Sequence, residues 1–498
     1  MSQSKDQARF DPGKGSAASV FAVLAIALTL RIYQLGTESL WIDEGYSIRD
    51  ASADLGLYEA RPLYFKLLHW WMQFGTSEAW LRMPSVVFGV LTVLMVYLIG
   101  RRLFGHTPGL VAALITAVSP LHVNHSQEIR MYSLLTALVT MSVLLFLRYV
   151  ETGRLRTLIG VLAFSFASFL VFPLSVFMFA VYSVYLLFHI RRHRKPAVWW
   201  LTGQAAMAVA AVPWMPKLLE VSKEFGDAWT WRLAKPGPID IAWMIRDFNL
   251  WRIASSHKTA LMVSNAYTFA ILGLLLFGAL YGLGRAGWQT RFTLLWLLVP
   301  LAGTAIVSNV SANMWITRYL IYASPALYLL IGLGLTRLAG SRAAYSIALI
   351  GVLGLPLARL AVYYQQPEHP EWRQAVRWLQ QNADENDSIA IYRSGNKHAF
   401  HYYYRGKTPV VALGPEGLTR QSFQGWTDAR VASLLAEIPS TSRRVWFVFS
   451  WHEEAGGVQI EDYVRRHYDV VRLTEFERIR IFEARPKEST EPALLTRK

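Results

Sequence analysis

The sequence contains no cysteine and has few charged residues. The absence of cysteine excludes a disulfide, a thiolate nucleophile and a Cys-ligated metal. It does not exclude a metal site formed by histidine and carboxylate side chains. Charged residues make up 17% of the 498 residues and hydrophobic residues 53%. A soluble domain carries about a quarter charged residues, so this composition is typical of a membrane-embedded chain.

The net charge of +16 comes from clusters of arginine and lysine that lie between long apolar runs. A domain that binds RNA or DNA would instead be expected to place its basic residues along one polar face. We therefore predict no nucleic-acid partner. Under the positive-inside rule the clusters are interpreted as cytoplasmic loops.

Eleven apolar runs are candidates for membrane-spanning helices, each of which needs about 20 mostly apolar residues. The third and fifth runs are short, which allows a bent or re-entrant segment. The first run exceeds the core of a signal peptide and is expected to stay as an anchor. The predicted spans are 16–35, 81–100, 108–121, 131–150, 157–172, 174–190, 197–215, 260–283, 291–309, 318–336 and 343–361.

The distribution of basic clusters predicts a cytoplasmic N-terminal tail, residues 1–15, and an extracytoplasmic segment after the last span. The predicted membrane domain, 16–361, has two long outer segments, 36–80 and 216–259. The tail, 362–498, has the composition of a soluble domain. Apolar strands alternate with helical patterns there, which predicts a small α/β domain. The strands are expected at 388–392, 445–449, 469–474 and 478–484, and the helices at 371–382 and 460–468.

Two adjacent carboxylates, Asp43 and Glu44, follow the first predicted span beside Trp41. Carboxylates in a partly dehydrated site at the membrane surface can supply a general base. A solvated loop with an interfacial tryptophan would produce the same pattern, since an acidic pair by itself is a weak signal.

A second polar group, Glu128, Arg130 and Tyr132, enters the fourth predicted span. Ionisable residues inside an apolar helix are costly and usually face a cavity or a partner. The alternative is a Glu128–Arg130 ion pair that caps the helix end, although residues two apart do not face each other on a helix.

Three further groups of residues suit a phosphate or a metal. Arg318 and Tyr319 open the tenth span, where a guanidinium suits a phosphate, and interfacial snorkelling is the alternative. Glu59 and Arg61 precede Pro62 and an amphipathic run with the content of an interfacial helix. His257 is a conceivable metal ligand, although lone histidines are usually structural.

The stretches that carry these groups resemble the polyprenyl- or dolichyl-phosphate-sugar glycosyltransferases of the GT-C class. Within that class the resemblance is to the bacterial branch of glycosyltransferase family 39, with its protein mannosyltransferase, aminoarabinose transferase and Rgt-type relatives. The matching stretches are Gly36–Ser47, Pro62–Tyr64, Arg82–Ser85, Gly100–Gly105, Gln127–Tyr132 and Arg318–Leu320.

The resemblance implies a GT-C fold of about 11 transmembrane helices with a C-terminal soluble α/β domain. It implies Asp43 as the catalytic base with Glu44 as its companion. It also implies a divalent metal at Glu59, although this sequence has Glu-Ala-Arg-Pro where relatives usually show His-Pro-Pro or Glu-Lys-Pro-Pro. The residues expected to hold the substrate or its phosphate are Arg61, Tyr64, Lys66, Glu128, Arg130, Tyr132, Arg318 and Tyr319, with His257 as a further metal candidate.

The expected activity is an inverting transfer of a sugar from a polyprenyl-phosphate donor, on the outer side of the cytoplasmic membrane. Lipid A or lipopolysaccharide, a glycolipid, a cell-wall glycan and a protein hydroxyl all remain open as acceptors. Nucleotide sugars are not available outside the cytoplasm, so no nucleotide cofactor is expected. A flippase for lipid-linked sugars is the main alternative, for which inverted repeats would be expected, and a membrane scaffold is a third.

Overall fold

The computed structural model describes residues 14–53, 61–191, 193–220, 234–251, 258–285, 287–366, 368–414, 424–450 and 456–487. These residues form two compact units. The first, the helical unit, contains the described residues from 14 to 35 and from 61 to 366. The second, the sheet unit, contains residues 36–53 together with the described residues after 366.

Helices dominate the described part of the chain, and strands occur only in the sheet unit. In chain order the α-helices are α1 (Lys14–Ile32), α2 (Ile42–Ser52), α3 (Pro62–Met72), α4 (Glu78–Phe104), α5 (His106–Val118), α6 (Pro120–Ser126), α7 (Tyr132–Thr152), α8 (Leu155–Val171), α9 (Phe177–Phe188), α10 (Arg194–Ala211), α11 (Pro238–Leu250), α12 (Lys258–Arg285), α13 (Gly287–Val310), α14 (Ser324–Arg337), α15 (Arg342–Gln365), α16 (Trp372–Asn382), α17 (Lys397–Tyr403), α18 (Asp428–Leu435) and α19 (Gly457–His467).

A helix lies at each of the eleven places where the sequence predicts a span. Within the described ranges, six helical segments are long and apolar enough to cross a membrane, and α5 and α6 together could form a seventh span. Three shorter apolar helices lie at Ala17–Ile32, Leu155–Val171 and Pro173–Phe188. Large apolar side chains such as Phe21 and Met262 are 75% and 73% exposed, as expected of a surface that meets lipid. The chain is therefore a multi-helix membrane protein, and the number eleven stays a prediction.

The third predicted span is bent by 57° where α5 ends and α6 begins. Pro120 opens α6 and has no N–H, so the carbonyl of Thr116 lacks its usual helical donor. The fully buried Arg31 replaces that donor: its guanidinium donates to the carbonyls of Thr116, at 3.3 Å, and Ala117, at 3.0 Å. Its Nε donates to Ser126 in α6 at 3.1 Å. A buried arginine thus stabilises the break.

Helices α4 and α5 approach each other at two glycines. A Cβ atom added to Gly100 would lie 2.5 Å from the Cα of Gly109, closer than packed atoms allow. Small residues at such a crossing let two helix backbones meet, as is common between helices in membranes.

The sheet unit contains a five-stranded mixed sheet. Its strands are β1 (Ser388–Tyr392), β2 (Val410–Leu413), β3 (Val445–Ser450), β4 (Tyr468–Phe476) and β5 (Ile479–Pro486), in the order β2-β1-β3-β5-β4. Strand β1 runs parallel to β2 and β3, whereas β5 pairs antiparallel with β3 and β4. The predicted C-terminal α/β domain is confirmed.

The core of the sheet unit packs Phe447 and Phe449 of β3 and Phe482 of β5 against Ile460 and Val464 of α19. Four of the five strands were predicted from the sequence. Strand β2, which has only four residues, and the short helices α17 and α18 were not predicted.

Candidate active site

Asp43 and Glu44 lie in the first turn of α2, where the sequence alone allowed a solvated loop. The Glu44 carboxylate accepts a hydrogen bond from the backbone N–H of Trp41 at 3.3 Å, as the third residue of a capped helix does. Glu44 is fully buried and lies 3.9 Å from Nδ1 of His369. Through these contacts Glu44 stabilises the start of α2. Asp43 is half-buried and remains the more accessible carboxylate of the pair.

The segment that leads into α2 is held by residues far along the chain but within the same unit. Arg373 donates to the carbonyls of Gly36 and Thr37 at 3.0 and 3.2 Å. The backbone N–H of Leu40 donates to the Tyr403 hydroxyl at 2.8 Å. These contacts could not be predicted from the sequence, because they join positions more than 300 residues apart.

Helix α2 packs closely on α17 at Gly45. A Cβ atom there would lie 2.7 Å from the backbone nitrogen of Ala399. The ring of Tyr46 in α2 lies 5.1 Å from the ring of His398 in α17. The position of Asp43 is therefore set by the sheet unit.

Three aromatic rings form a cluster in the helical unit. Tyr132 opens α7, Phe172 follows α8, and Tyr319 lies in the 3-10 helix Thr317–Ala323. The ring centroids of Tyr132 and Phe172 are 6.3 Å apart, those of Tyr132 and Tyr319 6.4 Å, and those of Phe172 and Tyr319 5.0 Å. Tyr132 is almost completely buried.

Each of these three rings has an arginine at its face. The guanidinium carbon of Arg61 lies 5.8 Å from the centre of the Phe172 ring. That of Arg130 lies 5.8 Å from Tyr132, and that of Arg318 lies 5.7 Å from Tyr319. We call Arg61, Arg130 and Arg318 the arginine cluster. Its members come from three distant parts of the sequence, and all three were predicted to contact substrate or phosphate.

Backbone geometry brings each arginine to the rings. Arg130 lies in the non-helical stretch between α6 and α7, and Arg318 in the 3-10 helix. Arg61 has a positive φ of 62° directly before Pro62, the first residue of α3. A left-handed arginine is strained, and such strain persists where the surrounding structure holds it. Three permanent charges with forked donors suit a phosphate ester.

Glu128 has a partner that the sequence analysis missed. Its Oε2 lies 2.9 Å from Nδ1 of His125, and both side chains are buried. The His125 ring lies between Tyr132, at 4.8 Å, and Trp251, at 4.7 Å. The spacing of three residues between His125 and Glu128 was the available signal. His125 therefore connects Tyr132 of the aromatic cluster to the buried carboxylate of Glu128.

Asp247 is a carboxylate that was not predicted from the sequence. It lies in α11, outside the candidate spans, and accepts a hydrogen bond from Thr317, the residue before Arg318, at 3.4 Å. Burial raises the pKa of Asp247, although Arg246, whose Nε lies 2.9 Å from Oδ1, acts in the opposite direction. This carboxylate supports the element that carries Arg318.

Two further predicted residues, Tyr64 and Lys66, both lie in α3. Tyr64 is buried in α3 with its ring 5.5 Å from Phe65, and Lys66 is half-buried in the same helix. The metal candidates Glu59 and His257 lie outside the described residues. Within the described ranges, no three histidine or carboxylate side chains come together as metal ligands require.

Comparison with known proteins shows which fold the chain has and which family part of it resembles. Residues 62–215, which carry α3 to α10, match the family model described as dolichyl-phosphate-mannose-protein mannosyltransferase. The fold resembles apo ArnT from Cupriavidus metallidurans with a TM-score of 0.62 and 12% identity, over 94% of this chain and 98% of ArnT. The fold is that of GT-C glycosyltransferases.

Two further structures resemble this chain. ArnT from the same organism bound to undecaprenyl phosphate matches with a TM-score of 0.59 and 13% identity, over 94% of this chain and 98% of ArnT. AglB from Archaeoglobus fulgidus, in complex with an inhibitory peptide and a dolichol-phosphate, has a TM-score of 0.57 and 12% identity. That match covers 97% of this chain and 75% of AglB. No curated protein matches the chain by sequence.

The predicted GT-C fold is confirmed by these comparisons, and the match to a mannosyltransferase family model over residues 62–215 agrees with the predicted enzyme class. Identities near 12% establish a common fold and leave the substrate open, because one fold carries many activities. The roles assigned to Asp43 and to the arginine cluster stay predictions.

Proposed function

We propose that the enzyme transfers a sugar from a polyprenyl-phosphate donor to a hydroxyl group of a cell-envelope acceptor, with inversion at the anomeric carbon. The observation that carries the proposal is the arginine cluster, where three guanidinium groups lie at the faces of rings that contact one another. The undecaprenyl phosphate and dolichol-phosphate bound to ArnT and AglB support a lipid-phosphate donor.

In the proposed reaction, Asp43 accepts the proton of the acceptor hydroxyl as its oxygen attacks the anomeric carbon. The new bond forms opposite the leaving group, so the configuration inverts. The bond between the anomeric carbon and the phosphate oxygen breaks, and its electron pair stays with the polyprenyl phosphate. The arginine cluster stabilises the charge that builds on this phosphate. Glu44 holds the helix that carries Asp43.

The acceptor is proposed only as a class: lipid A or lipopolysaccharide, another glycolipid or glycan, or a protein hydroxyl. The reaction is placed on the outer side of the cytoplasmic membrane, with the N-terminus inside and the tail outside, because a lipid-linked donor is the form of activated sugar expected there. The positive-inside pattern supports this orientation.

The test uses the full-length enzyme in liposomes with a polyprenyl-phosphate sugar and an extract of envelope acceptors. The measurements are the release of free polyprenyl phosphate and the mass of the glycosylated product. Asp43→Asn should lower turnover by about 10²–10⁴-fold, the usual contribution of a general base. The matched control is Asp50→Asn, which changes a carboxylate of the same helix that pairs with Arg49.

Near-normal turnover of a folded Asp43→Asn variant would contradict the assignment of the base. A flippase would move labelled donor across the liposome membrane without releasing polyprenyl phosphate, so the same assay separates the two functions. Mass spectrometry of envelope glycolipids from a deletion strain would then identify the acceptor.

A further inference from the structure

A cavity of about 420 Å³ lies between α9 and α13 in the helical unit. Its apolar wall is formed by Leu294, Leu295 and Leu298 of α13 and by Phe188 at the end of α9. Phe188 is 78% exposed and Leu298 is 50% exposed. The cavity is therefore accessible from the exposed flank of these two helices, where a lipid chain could enter it.

One end of the cavity is polar. Arg291 lines it from α13, and His189, which directly follows α9, lines it from the other side. Nδ1 of His189 lies 2.9 Å from the carbonyl oxygen of Tyr185, and the two rings stack with centroids 4.5 Å apart. These contacts hold the imidazole against α9 at the edge of the cavity.

The charge of Arg291 is not balanced by the described part of the protein. No hydrogen bond or ion pair joins it to any described residue. The sequence explains this, because it has no aspartate or glutamate between Glu151 and Glu220, nor between Asp247 and Glu368. Both helices that form the cavity fall inside these acid-free stretches. Further basic residues follow α9, namely Arg191, Arg194 and Lys195.

The spacing along α13 matches an amphiphile. Arg291, Leu294, Leu295 and Leu298 recur at intervals of three and four residues, which places them on one helix face. At 1.5 Å per residue, this face runs about 10 Å from the guanidinium to the last leucine. Trp288, one turn before Arg291, packs at 6.2 Å from Tyr185, and aromatic residues are enriched at the depth of lipid headgroups.

We propose that this cavity binds an anionic glycerophospholipid, with its phosphate at Arg291 and His189 and one acyl chain along Leu294 to Leu298. Basic pockets between transmembrane helices recognise anionic headgroups in this way. The site is composed of residues other than Asp43 and the arginine cluster, and its occupation does not depend on sugar transfer.

The experiment uses the full-length protein in phosphatidylcholine nanodiscs that contain a trace of a photoreactive lipid. One set carries photoreactive phosphatidylglycerol and the other photoreactive phosphatidylcholine with the same acyl chains. After illumination, mass spectrometry maps the labelled peptides. Phosphatidylglycerol is expected to label the peptides with Phe188 and with Leu294 to Leu298 more strongly than phosphatidylcholine does.

Arg291→Gln should reduce this phosphatidylglycerol labelling about fivefold, as expected for the loss of one basic residue near an anionic headgroup. The matched control is Arg342→Gln, an exposed arginine at the start of α15, which should not change it. Leu294→Trp keeps Arg291 but fills the cavity, and it should also reduce the labelling. Unchanged labelling of other peptides verifies that each variant is folded.

Three results would overturn the proposal. Equal labelling by the two lipids would show a non-specific apolar groove. Unchanged labelling of Arg291→Gln would remove the arginine from the site. Displacement of phosphatidylglycerol by an equal amount of polyprenyl phosphate, or by inorganic phosphate, would show a donor site or a simple anion site instead.

Discussion

At the scale of single residues, aromatic faces hold the charges of the candidate donor site. Arginine is weakly hydrated and stacks on aromatic rings, so the cluster can keep its charge while it is partly buried. Arg130 is 8% exposed, and the electron-rich face of Tyr132 is one of the groups that offset the cost of burying its charge. This arrangement places planar guanidinium donors at three ring faces.

Arg130→Gln should lower kcat/KM for the polyprenyl-phosphate sugar by about 10–100-fold, since one charge-assisted hydrogen bond to a phosphate contributes about 1.5–3 kcal/mol. Arg130→Lys keeps the charge but loses the forked donors, so its activity should fall between that of Arg130→Gln and that of the wild type. The measurement is steady-state release of polyprenyl phosphate. Arg154→Gln is the control, because Arg154 is exposed at the start of α8. Equal activity of Arg130→Gln and the wild type would remove Arg130 from donor binding.

At the scale of elements, breaks and close crossings shape the helical unit. The bend between α5 and α6 leaves carbonyl groups without helical donors in an apolar region, where each such group is costly. Arg31 of α1 satisfies two of them and connects three helices.

Arg31→Met should destabilise the protein by about 1–3 kcal/mol for each carbonyl that loses its donor. Methionine fills a similar space without donating hydrogen bonds, so the change isolates the polar contribution. The measurement is thermal unfolding in detergent followed by tryptophan fluorescence. Arg154→Met should leave the unfolding temperature unchanged, and a similar temperature for Arg31→Met would show that water replaces the guanidinium.

Gly100→Ala should lower the unfolding temperature because the new methyl group would meet the backbone of Gly109 at 2.5 Å and force α4 and α5 apart. Overpacking of this kind costs about 1–3 kcal/mol. Gly351→Ala is the matched control, since nothing lies within 4 Å of a Cβ atom there and alanine favours helices. If Gly351→Ala were the more destabilised variant, the close crossing would not limit stability.

At the scale of the whole molecule, the predicted site residues belong to two different units. The helical unit carries the arginine cluster, whereas the helix with Asp43 belongs to the sheet unit. Residues 36–53 directly follow the first apolar helix and precede the rest of the helical unit in sequence. The chain thus contributes its predicted base to the unit formed mainly by its C-terminal part.

Membrane orientation can be tested directly because the natural chain has no cysteine. Glu385→Cys and Arg154→Cys each introduce one exposed thiol, in the sheet unit and before α8. We expect an impermeant maleimide to label Glu385→Cys in intact spheroplasts, and Arg154→Cys only after permeabilisation. This follows from the positive-inside rule. The reverse pattern would place Asp43 in the cytosol, where the proposed donor is not presented.

The sequence predicted local features well, because apolar run length and strand composition depend on neighbouring residues. Strand β1 was predicted with its observed bounds, and every predicted span contains a helix. It predicted Arg61, Arg130 and Arg318 as separate candidates through motif resemblance. It could not predict that these arginines would lie at the faces of three rings that contact one another, because the rings come from distant parts of the chain. The pairing of His125 with Glu128 had a signal in their spacing but was not predicted.

The sequence by itself determined that this chain enters a membrane, that it ends in an α/β domain and which polar residues stand out against the apolar background. These properties follow from composition and short-range periodicity. Only the tertiary structure decided that Glu44 is buried as a helix cap, that Arg373 and Tyr403 hold the segment before Asp43, and that three arginines share one aromatic cluster. The contacts of Arg373 and Tyr403, and those among the three aromatic rings, join residues tens to hundreds of positions apart. They exist only once packing has brought those elements together.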